Sequence, residues 1–336
     1  MAVSSKAVHL VARPVGEPKL ADFAVVEAPL ADPGPGQVLV RNDWISVDPY
    51  MRGRMNDVKS YIPSFQLGEP MDGGAVGTVV ASGCEVPVGT VVFHRLGWRE
   101  HATLDASEVQ AVDTSRGAAC EYLGVLGMTG LTAYVGLKVI APVKPGDVVF
   151  ISGAAGAVGL VAGVVAKKLG AARVVGSAGG PEKVKRLVEH FGYDAAIDYR
   201  AGDLKGQLVA AAPEGIDVYF DNVGGEHLRV AISALRLHGR VALCGAISQY
   251  NATGPVTGPD NLVMAIGKRL SLRGYLVFDH NDLSEEYVEQ ATRWLKDGSL
   301  SNEQTVVDGI ENAPTAFLDM LRGSNTGKML VRLSNP

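Results

Sequence analysis

A short glycine- and alanine-rich segment, residues 151–159, has the residue types and spacing of a phosphate-binding turn. It reads ISGAAGAVG and carries the pattern AxGxxG on Ala154, Gly156 and Gly159, with alanine in place of the first glycine of GxGxxG. Glycines in such a turn let a pyrophosphate approach the backbone, where free amides and the positive end of a helix bind it. The segment therefore predicts a dinucleotide site.

Apolar runs on both sides of this turn predict the elements that position it. Residues 148–151 read as a buried strand and residues 160–169 as an Ala-rich helix. Further along the chain, the pattern predicts strands at 173–177, 195–199, 216–221 and 239–245, and a helix at 181–192. Strands that alternate with amphipathic helices are typical of a parallel, doubly wound sheet, the Rossmann class of α/β fold.

The segment after the second predicted strand indicates which dinucleotide fits. Sites that prefer NAD usually place Asp or Glu about 20 residues beyond the glycine turn, where it binds the ribose 2′-hydroxyl. Residues 176–180 read GSAGG, so no carboxylate is present to repel a 2′-phosphate. Lys183 on the next helix and Tyr199 at the end of the third strand are the candidate phosphate contacts. The alternative for Lys183 is an ordinary solvated helix residue.

Composition favours a protein of two domains that acts on small molecules. The chain has 336 residues, a formal charge of −5 and no basic cluster, which argues against a nucleic-acid surface. An uncharged span, residues 148–166, has the length of a membrane helix, but its centre SGAAGAVG is better explained by a turn. Three widely spaced cysteines and an N-terminus without a secretory signal predict a cytoplasmic protein.

The ends of the chain predict a second, β-rich domain. Before residue 120, short β-like runs alternate with turns such as PGPG at 33–36, and short strands with a helix return after residue 298. We predict one domain from residues 1–122 and 298–336, with the dinucleotide-binding domain, 123–297, inserted between them. A ligand cleft is then expected between the two domains.

Several segments together resemble a known family over nearly the whole chain. They are VDPYMRGRM (47–55), LGMTGLTAYVGL (126–137), SGAAGAVG, FDNVGG (220–225), CGAISQYN (244–251) and GSNTGKMLV (323–331). The chain is identified as similar to the zinc-independent medium-chain dehydrogenase/reductases, in the group of leukotriene B4 dehydrogenase, prostaglandin reductase, curcumin reductase and alkenal double-bond reductase. The resemblance implies a Rossmann domain, a GroES-like catalytic domain and a homodimer.

The chemistry implied by this resemblance is NADPH-dependent reduction of the C=C bond of α,β-unsaturated ketones or aldehydes. Hydride adds to the β-carbon, charge moves to the carbonyl oxygen as an enolate, and a proton reaches the α-carbon. Such a reaction needs a hydrogen-bond donor at the developing oxyanion. Tyr250 matches the tyrosine that the family places there, with the cofactor ribose as a second donor. The alternative is that Tyr250 only covers the nicotinamide.

The resemblance also implies the residues that line the cofactor. By position in the family motifs they are Asn222, Cys244, Gly245, Ala246, Ile247, Ser248, Tyr250 and Asn325, with Thr132, Tyr275, Leu276 and Val277 near the nicotinamide end. The residues themselves predict the other cofactor contacts, which are Gly156, Ala157, Val158 and Gly159 of the turn together with Lys183 and Tyr199. For Asn222 and Asn325 the alternative is turn formation beside glycine. Cys244 is interpreted as a small core residue, because hydride transfer needs no thiol nucleophile.

Two tyrosines are candidates for the substrate pocket. Tyr50 lies in VDPYMR, where Asp48 and Arg52 are expected to form an ion pair, and Tyr61 follows a polar loop that is expected to act as a lid. Ordinary packing is the equal alternative for both tyrosines.

The sequence predicts no metal site. Zinc relatives have a GHE motif and a four-cysteine lobe, but residues 68–70 read GEP and no two cysteines have CxxC spacing. Two other functions stay open, namely an NADPH quinone reductase or alcohol dehydrogenase, and a non-catalytic NADPH-binding protein.

Overall fold

The computed structural model describes residues 3–333, and these form two compact units. One unit comprises the chain up to Leu123 and the chain from Gln304 onward; the other is Gly124–Glu303. The domain limits predicted from sequence, 122/123 and 297/298, stay predictions, and their residues 1, 2 and 334–336 lie outside the described part of the chain.

The first unit begins with strands separated by turns. Its N-terminal elements are β1 (Val3–Leu10), β2 (Phe23–Leu30), β3 (Gln37–Ser46), the short helix α1 (Met51–Arg54), β4 (Ala75–Ser82), β5 (Val91–His94), β6 (His101–Asp105) and β7 (Gln110–Ala111). Strands β1 and β2 pair antiparallel as a separate ribbon. The alternation of apolar and polar residues along these strands is typical of antiparallel sheets with one solvated face.

The second unit is an alternation of strands and helices. Its elements are α2 (Met128–Val135), β8 (Val148–Ile151), α3 (Ala157–Lys168), β9 (Arg173–Ala178), α4 (Pro181–Glu189), β10 (Ala195–Asp198), α5 (Leu204–Ala211), β11 (Ile216–Asp221), α6 (Gly225–Ala234), β12 (Leu235–Leu243), α7 (Val263–Lys268), β13 (Ser271–Gly274) and α8 (Ser284–Lys296). The strands form one parallel sheet in the order β10-β9-β8-β11-β12-β13. The predicted Rossmann class is confirmed.

The chain then returns to the first unit with β14 (Gln304–Asp308), α9 (Ala313–Leu321) and β15 (Lys328–Arg332). Strand β15 pairs with β3, which completes a sheet in the order β14-β15-β3-β4-β5-β7, with β6 also paired to β3. In the core of this unit the rings of Phe23, Trp98 and Phe317 pack together, with centroids 6.0–6.5 Å apart. The returning segment is thus part of the core of the first unit.

The observed limits of α3 and β12 differ from the sequence-based limits. Helix α3 begins at Ala157 rather than 160, directly after the turn, because Gly156 is its N-cap. Strand β12 begins at Leu235 rather than 239, since Leu235 pairs with Ile216 before a register shift. Within residues 3–333, no helix has the length and apolar character needed to span a bilayer.

Candidate functional site

The glycine turn between β8 and α3 is folded tightly against the start of the helix. Gly153 has a φ of +61°, a left-handed conformation that favours glycine. A Cβ on Gly159 would lie 2.4 Å from the carbonyl oxygen of Gly153 and 2.6 Å from Cα of Ala154, so this position has no room for a side chain. The turn therefore holds the first amides of a 12-residue helix at the carboxyl edge of β8. Such a helix end fits a pyrophosphate.

The turn after β9 places a second group of polar residues at the same sheet edge. Gly180 has a φ of +95°, and its amide donates to Oδ1 of Asp198 at 2.8 Å. The same oxygen accepts from the amide of Arg200 at 2.9 Å. Because its Oδ1 accepts these two amides, Asp198 holds the turns after β9 and β10 together. This carboxylate is not among the residues predicted from the sequence.

Lys183, Tyr199 and Arg200 surround this turn. A Cβ on Gly179 would lie 2.8 Å from both Nε of Arg200 and Oη of Tyr199. Lys183 is half-buried in the first turn of α4, where burial and the charge of Arg200 lower its pKa. Two cations and a phenol at one edge fit a phosphate dianion. Sequence reasoning missed Arg200, although it directly follows Tyr199.

The loop after β11 is tied to the glycine turn. The side-chain amide of Asn222 donates to the carbonyl oxygen of Ser152 at 2.7 Å, and its backbone amide donates to Oγ of Ser152 at 3.0 Å. Asn222 therefore acts as a structural link between the two turns, and its contact with a cofactor stays a prediction.

The loop that carries Tyr250 is folded against the loop after β11. The amide of Ile247 donates to the carbonyl oxygen of Asn222 at 3.3 Å, and Oγ of Ser248 donates to that of Val223 at 2.6 Å. Within the loop, the Ala246 amide donates to Oη of Tyr250 at 3.5 Å, a long contact. The half-buried phenol of Tyr250 thus lies over its own loop, at the edge that also holds the glycine turn.

A tyrosine after β13 links this loop to helix α2. The hydroxyl of Tyr275 donates to the carbonyl oxygen of Thr132 at 2.8 Å. Burial and the nearby Cys244 thiol raise the pKa of this hydroxyl. Burial raises the pKa of the Cys244 thiol to about 12. The hydroxyl of Thr132 donates within its helix, to the carbonyl oxygen of Met128 at 2.7 Å. Thr132 and Tyr275, which the resemblance places near the nicotinamide, are therefore brought together, with Cys244 of the cofactor loop beside Tyr275.

Three further candidates, Tyr50, Tyr61 and Asn325, lie in the first unit. Tyr50, directly before α1, is half-buried, and burial together with the charge of Asp48 raises its pKa. Tyr61 is 58% exposed and lies on a loop. The side-chain amide of Asn325 donates to the carbonyl oxygen of Gly327 at 2.8 Å, which is a local turn contact. Their substrate and cofactor contacts stay predictions.

The predicted ion pair between Asp48 and Arg52 is wrong. Asp48 pairs instead with Lys328 of β15, at 2.8 Å, and both side chains are buried. Arg52 donates to Oδ1 of Asn56 and to the carbonyl oxygen of Gly16, each at 2.8 Å. The pairing of β15 with β3 brings Lys328 to Asp48 from the other end of the chain, which local spacing does not reveal.

Among residues 3–333, no group of three or more His, Cys, Asp or Glu side chains is arranged to hold a metal ion.

Two sequence profiles match the chain. Residues 6–112 match the N-terminal domain of oxidoreductases, and residues 157–296 match a profile described as zinc-binding dehydrogenase. Together they cover more than half of the sequence and fall in different units of the structure.

Comparison with individual proteins narrows this class. The chain is 40% identical to the NADP(+)-dependent 2-alkenal reductase of Nicotiana tabacum, over 99% of this chain and 98% of the relative. It is 37% identical to the NADPH-dependent curcumin reductase of Escherichia coli, over 97% and 96%. The crystal structure of CurA from Vibrio vulnificus in complex with NADPH matches with a TM-score of 0.93 and 38% identity, over 98% of this chain and 100% of that chain.

The fold, the turn and these matches define a medium-chain dehydrogenase/reductase. Within that class, the chain belongs to the group that contains curcumin reductase, 2-alkenal reductase and prostaglandin reductase.

Proposed function

We propose that the protein is an NADPH-dependent reductase of the C=C bond of α,β-unsaturated ketones or aldehydes. The observation that carries this proposal is the position of Tyr250. Its loop is hydrogen-bonded to the loop after β11, which is hydrogen-bonded in turn to the glycine turn. A phenol donor and a pyrophosphate-binding turn therefore share one sheet edge, as a hydride-transfer site requires.

The residues at this edge fit NADPH. Gly159 lets the turn pack tightly against the start of α3, whose first amides are directed to the sheet edge, and Lys183 and Arg200 supply positive charge where a 2′-phosphate would lie. We propose that the contacts predicted from sequence, with Arg200 added, hold the cofactor. When bound, NADPH supplies the hydride that adds to the β-carbon of the substrate.

Tyr250 supplies the complementary group. As hydride arrives at the β-carbon, negative charge develops on the carbonyl oxygen, and a neutral phenol can donate a hydrogen bond to it. A phenol suits this role near neutral pH, because the ordinary pKa of tyrosine is about 10. Tyr50 and Tyr61 are proposed to contact the substrate.

The experiment is NADPH oxidation with a panel of enones, quinones and saturated ketones, followed by identification of the products. A saturated ketone or aldehyde from the enone supports the proposal. Hydroquinone as the main product indicates a quinone reductase, an alcohol indicates an alcohol dehydrogenase, and tight NADPH binding without turnover indicates a non-catalytic protein.

Substitution of Tyr250 tests the mechanism in the same assay. Tyr250→Phe is expected to lower kcat at least about tenfold, because one donor to the oxyanion is lost, and to leave the Kd for NADPH close to that of the wild type. Tyr122→Phe is the matched control, since it makes the same change of atoms at a tyrosine whose hydroxyl donates to the backbone carbonyl of Asp113. Unchanged turnover in Tyr250→Phe would exclude this role.

We propose in addition that the protein is a homodimer. Within residues 3–333, β13 is the outermost strand on its side of the sheet, and the preceding α7 exposes 71% of Val263 and 78% of Ile266. An edge strand beside exposed apolar residues is a surface that a second copy can cover symmetrically. Ile266→Glu is expected to halve the mass measured by light scattering, whereas Val209→Glu, an exposed apolar site on α5, is expected to leave it unchanged.

A cytoplasmic location is proposed as well. Its support is that Cys84, Cys120 and Cys244 are all free thiols, as is usual in a reducing compartment. Cell fractionation checks this, and recovery outside the cytosolic fraction would contradict it.

A further inference from the structure

The carboxylate of Asp221, at the end of β11, is buried and surrounded by hydrogen-bond donors. Only 1% of the residue is exposed. Its Oδ1 accepts from Oη of Tyr219 at 2.7 Å and from the amides of Gly224 and Val223 at 2.8 and 3.0 Å, and Oγ of Ser152 lies 3.3 Å away. One oxygen thus collects donors from the strand itself, from the loop that follows it and from the start of the glycine turn.

The backbone of Asp221 adds a third loop to this arrangement. Its carbonyl oxygen accepts from the amides of Cys244 and Gly245, each at 2.9 Å. Ser152 also joins the glycine turn to the loop after β11, because its Oγ accepts the amide of Asn222 at 3.0 Å. The glycine turn, the loop after β11 and the loop that carries Tyr250 therefore all meet at Asp221.

We propose that Asp221 is a positioning residue for the NADPH site, acting through the three loops that it holds in register. This inference rests on the proposed function for the identity of the ligand. Asp221 itself is buried under the loops, so its effect reaches the cofactor through Ser152, Asn222 and the segment 244–250.

The chemistry of the side chain explains why a carboxylate is needed there. An ionised carboxylate only accepts hydrogen bonds, whereas an asparagine of the same shape carries an NH2 group. In Asp221→Asn, the side-chain amide can take two orientations. In one, its NH2 group faces the donors that surround Oδ1 and cannot accept their hydrogen bonds; in the other, the NH2 group is buried on the opposite side. In both orientations the hydrogen bonding that holds the three loops at this residue is weakened, although the volume of the side chain is nearly unchanged.

The same strand offers a matched control. Asp217 lies at the opposite end of β11, where its Oδ2 accepts from the amide of Val148 and from Nη1 of Arg236, both at 2.8 Å. Asp217→Asn thus removes a carboxylate from the same strand with the same change of atoms, but at the edge of the sheet away from the three loops.

The experiment measures the Kd for NADPH by fluorescence titration and the thermal midpoint of each variant, with no enone present. Asp221→Asn is expected to raise this Kd at least tenfold, and Asp217→Asn is expected to change it less than twofold. A Kd within twofold of the wild type in folded Asp221→Asn overturns the proposal. An equal loss of affinity in Asp217→Asn also overturns it, because the effect would then be one of general stability.

Milder variants keep the test decisive if Asp221→Asn does not fold. Ser152→Ala and Tyr219→Phe each remove one neighbour of the carboxylate and are expected to raise the NADPH Kd about threefold; wild-type affinity in both overturns the proposal. Because NADPH binding is measured without enone reduction, the test separates the positioning role of Asp221 from the proposed reaction. Wild-type protein that binds NADPH but reduces no enone contradicts only the proposed reaction.

Discussion

Lys183 in the first turn of α4 and Arg200 in the turn after β10 lie close enough for their charges to interact, and burial together with the charge of Arg200 lowers the pKa of Lys183. Two like charges at one sheet edge destabilise each other until an anion lies between them. The arrangement favours a ligand with a dianionic group, which NADPH carries on its 2′-phosphate and NADH lacks.

Removal of either charge is therefore expected to change cofactor preference. Lys183→Gln and Arg200→Gln should each raise the KM for NADPH roughly tenfold or more, the value of one charge-assisted hydrogen bond, with little change for NADH. The measurement is the ratio of kcat/KM for the two cofactors. Lys185→Gln on the same helix is the control, since Lys185 is exposed. A preference for NADPH that persists in both variants would contradict the assigned phosphate contacts.

The glycines of the turn are expected to differ in their tolerance of a methyl group. A Cβ on Gly159 meets three backbone atoms at 2.4–2.7 Å, whereas one on Gly156 meets a single carbonyl oxygen at 3.2 Å. Gly159→Ala should lower the free energy of unfolding by about 1–3 kcal/mol, a usual cost of overpacking, and Gly156→Ala by less. Urea denaturation of both variants checks the order, and equal losses would argue against the tight turn.

Buried His94 is expected to make the protein less stable in mild acid. Its Nε2 donates to Oδ1 of Asn42 at 2.8 Å and its Nδ1 accepts the amide of Leu96 at 3.1 Å, so protonation at Nδ1 removes a hydrogen bond. Burial and the charge of Arg99 lower the pKa of His94 from 6.5 to about 4. The unfolded chain thus binds more protons between these values, and stability falls as pH decreases from 6.5 to 4, by up to about 3 kcal/mol.

Urea unfolding at pH 7.5 and pH 5 measures this effect. His94→Gln is expected to be less stable than the wild type at pH 7.5 but to lose less stability between the two pH values. The exposed His238 supplies the control, as His238→Gln should keep the wild-type difference. An identical difference in His94→Gln would show that other groups cause the loss.

The three cysteines are expected to react at different rates with electrophiles, including the enones proposed as substrates. The pKa of about 12 keeps the Cys244 thiol protonated, and burial also raises the pKa of Cys120. Because the thiolate is the reactive form, alkylation of native protein at pH 8 should modify Cys84 first and Cys244 slowest. Peptide mapping after timed treatment checks the order, and in urea the difference should vanish. Rapid labelling of native Cys244 would contradict the buried thiol.

Elements with strong local signals could be predicted from the sequence. Strands β8 and β11 have the predicted limits because their apolar runs are buried on both faces of a parallel sheet, which leaves a continuous pattern. The glycine turn could be located for a similar reason, since it follows a predicted strand at the carboxyl edge, whereas the role of Tyr250 and its loop came from the family resemblance and stays a prediction. By contrast, β13 reads SLRG, is mostly exposed and forms only through its pairing with β12.

Contacts that depend on strand order were missed. The pairing of Asp48 with Lys328 requires β15 to lie beside β3, and the contacts of Asp198 and Arg200 at Gly180 and Gly179 require β10 to lie beside β9. No local spacing encodes such neighbours. The donors around Asp221 come from three segments that are adjacent only in the folded sheet, so sequence reasoning named the loops but not the residue that joins them.

The strand order of the parallel sheet affects how the cofactor site and the Tyr250 loop can diverge in evolution. Strand β8 lies between β9 and β11, so the residues proposed to recognise the 2′-phosphate lie on one side of it and Tyr250 with its loop on the other. On these proposed roles, selectivity for the reductant and the chemistry performed on the substrate occupy separate halves of the sheet. Substitutions in one half can alter cofactor selectivity without altering the residues of the other half. The glycine turn is common to both, because both depend on the bound dinucleotide.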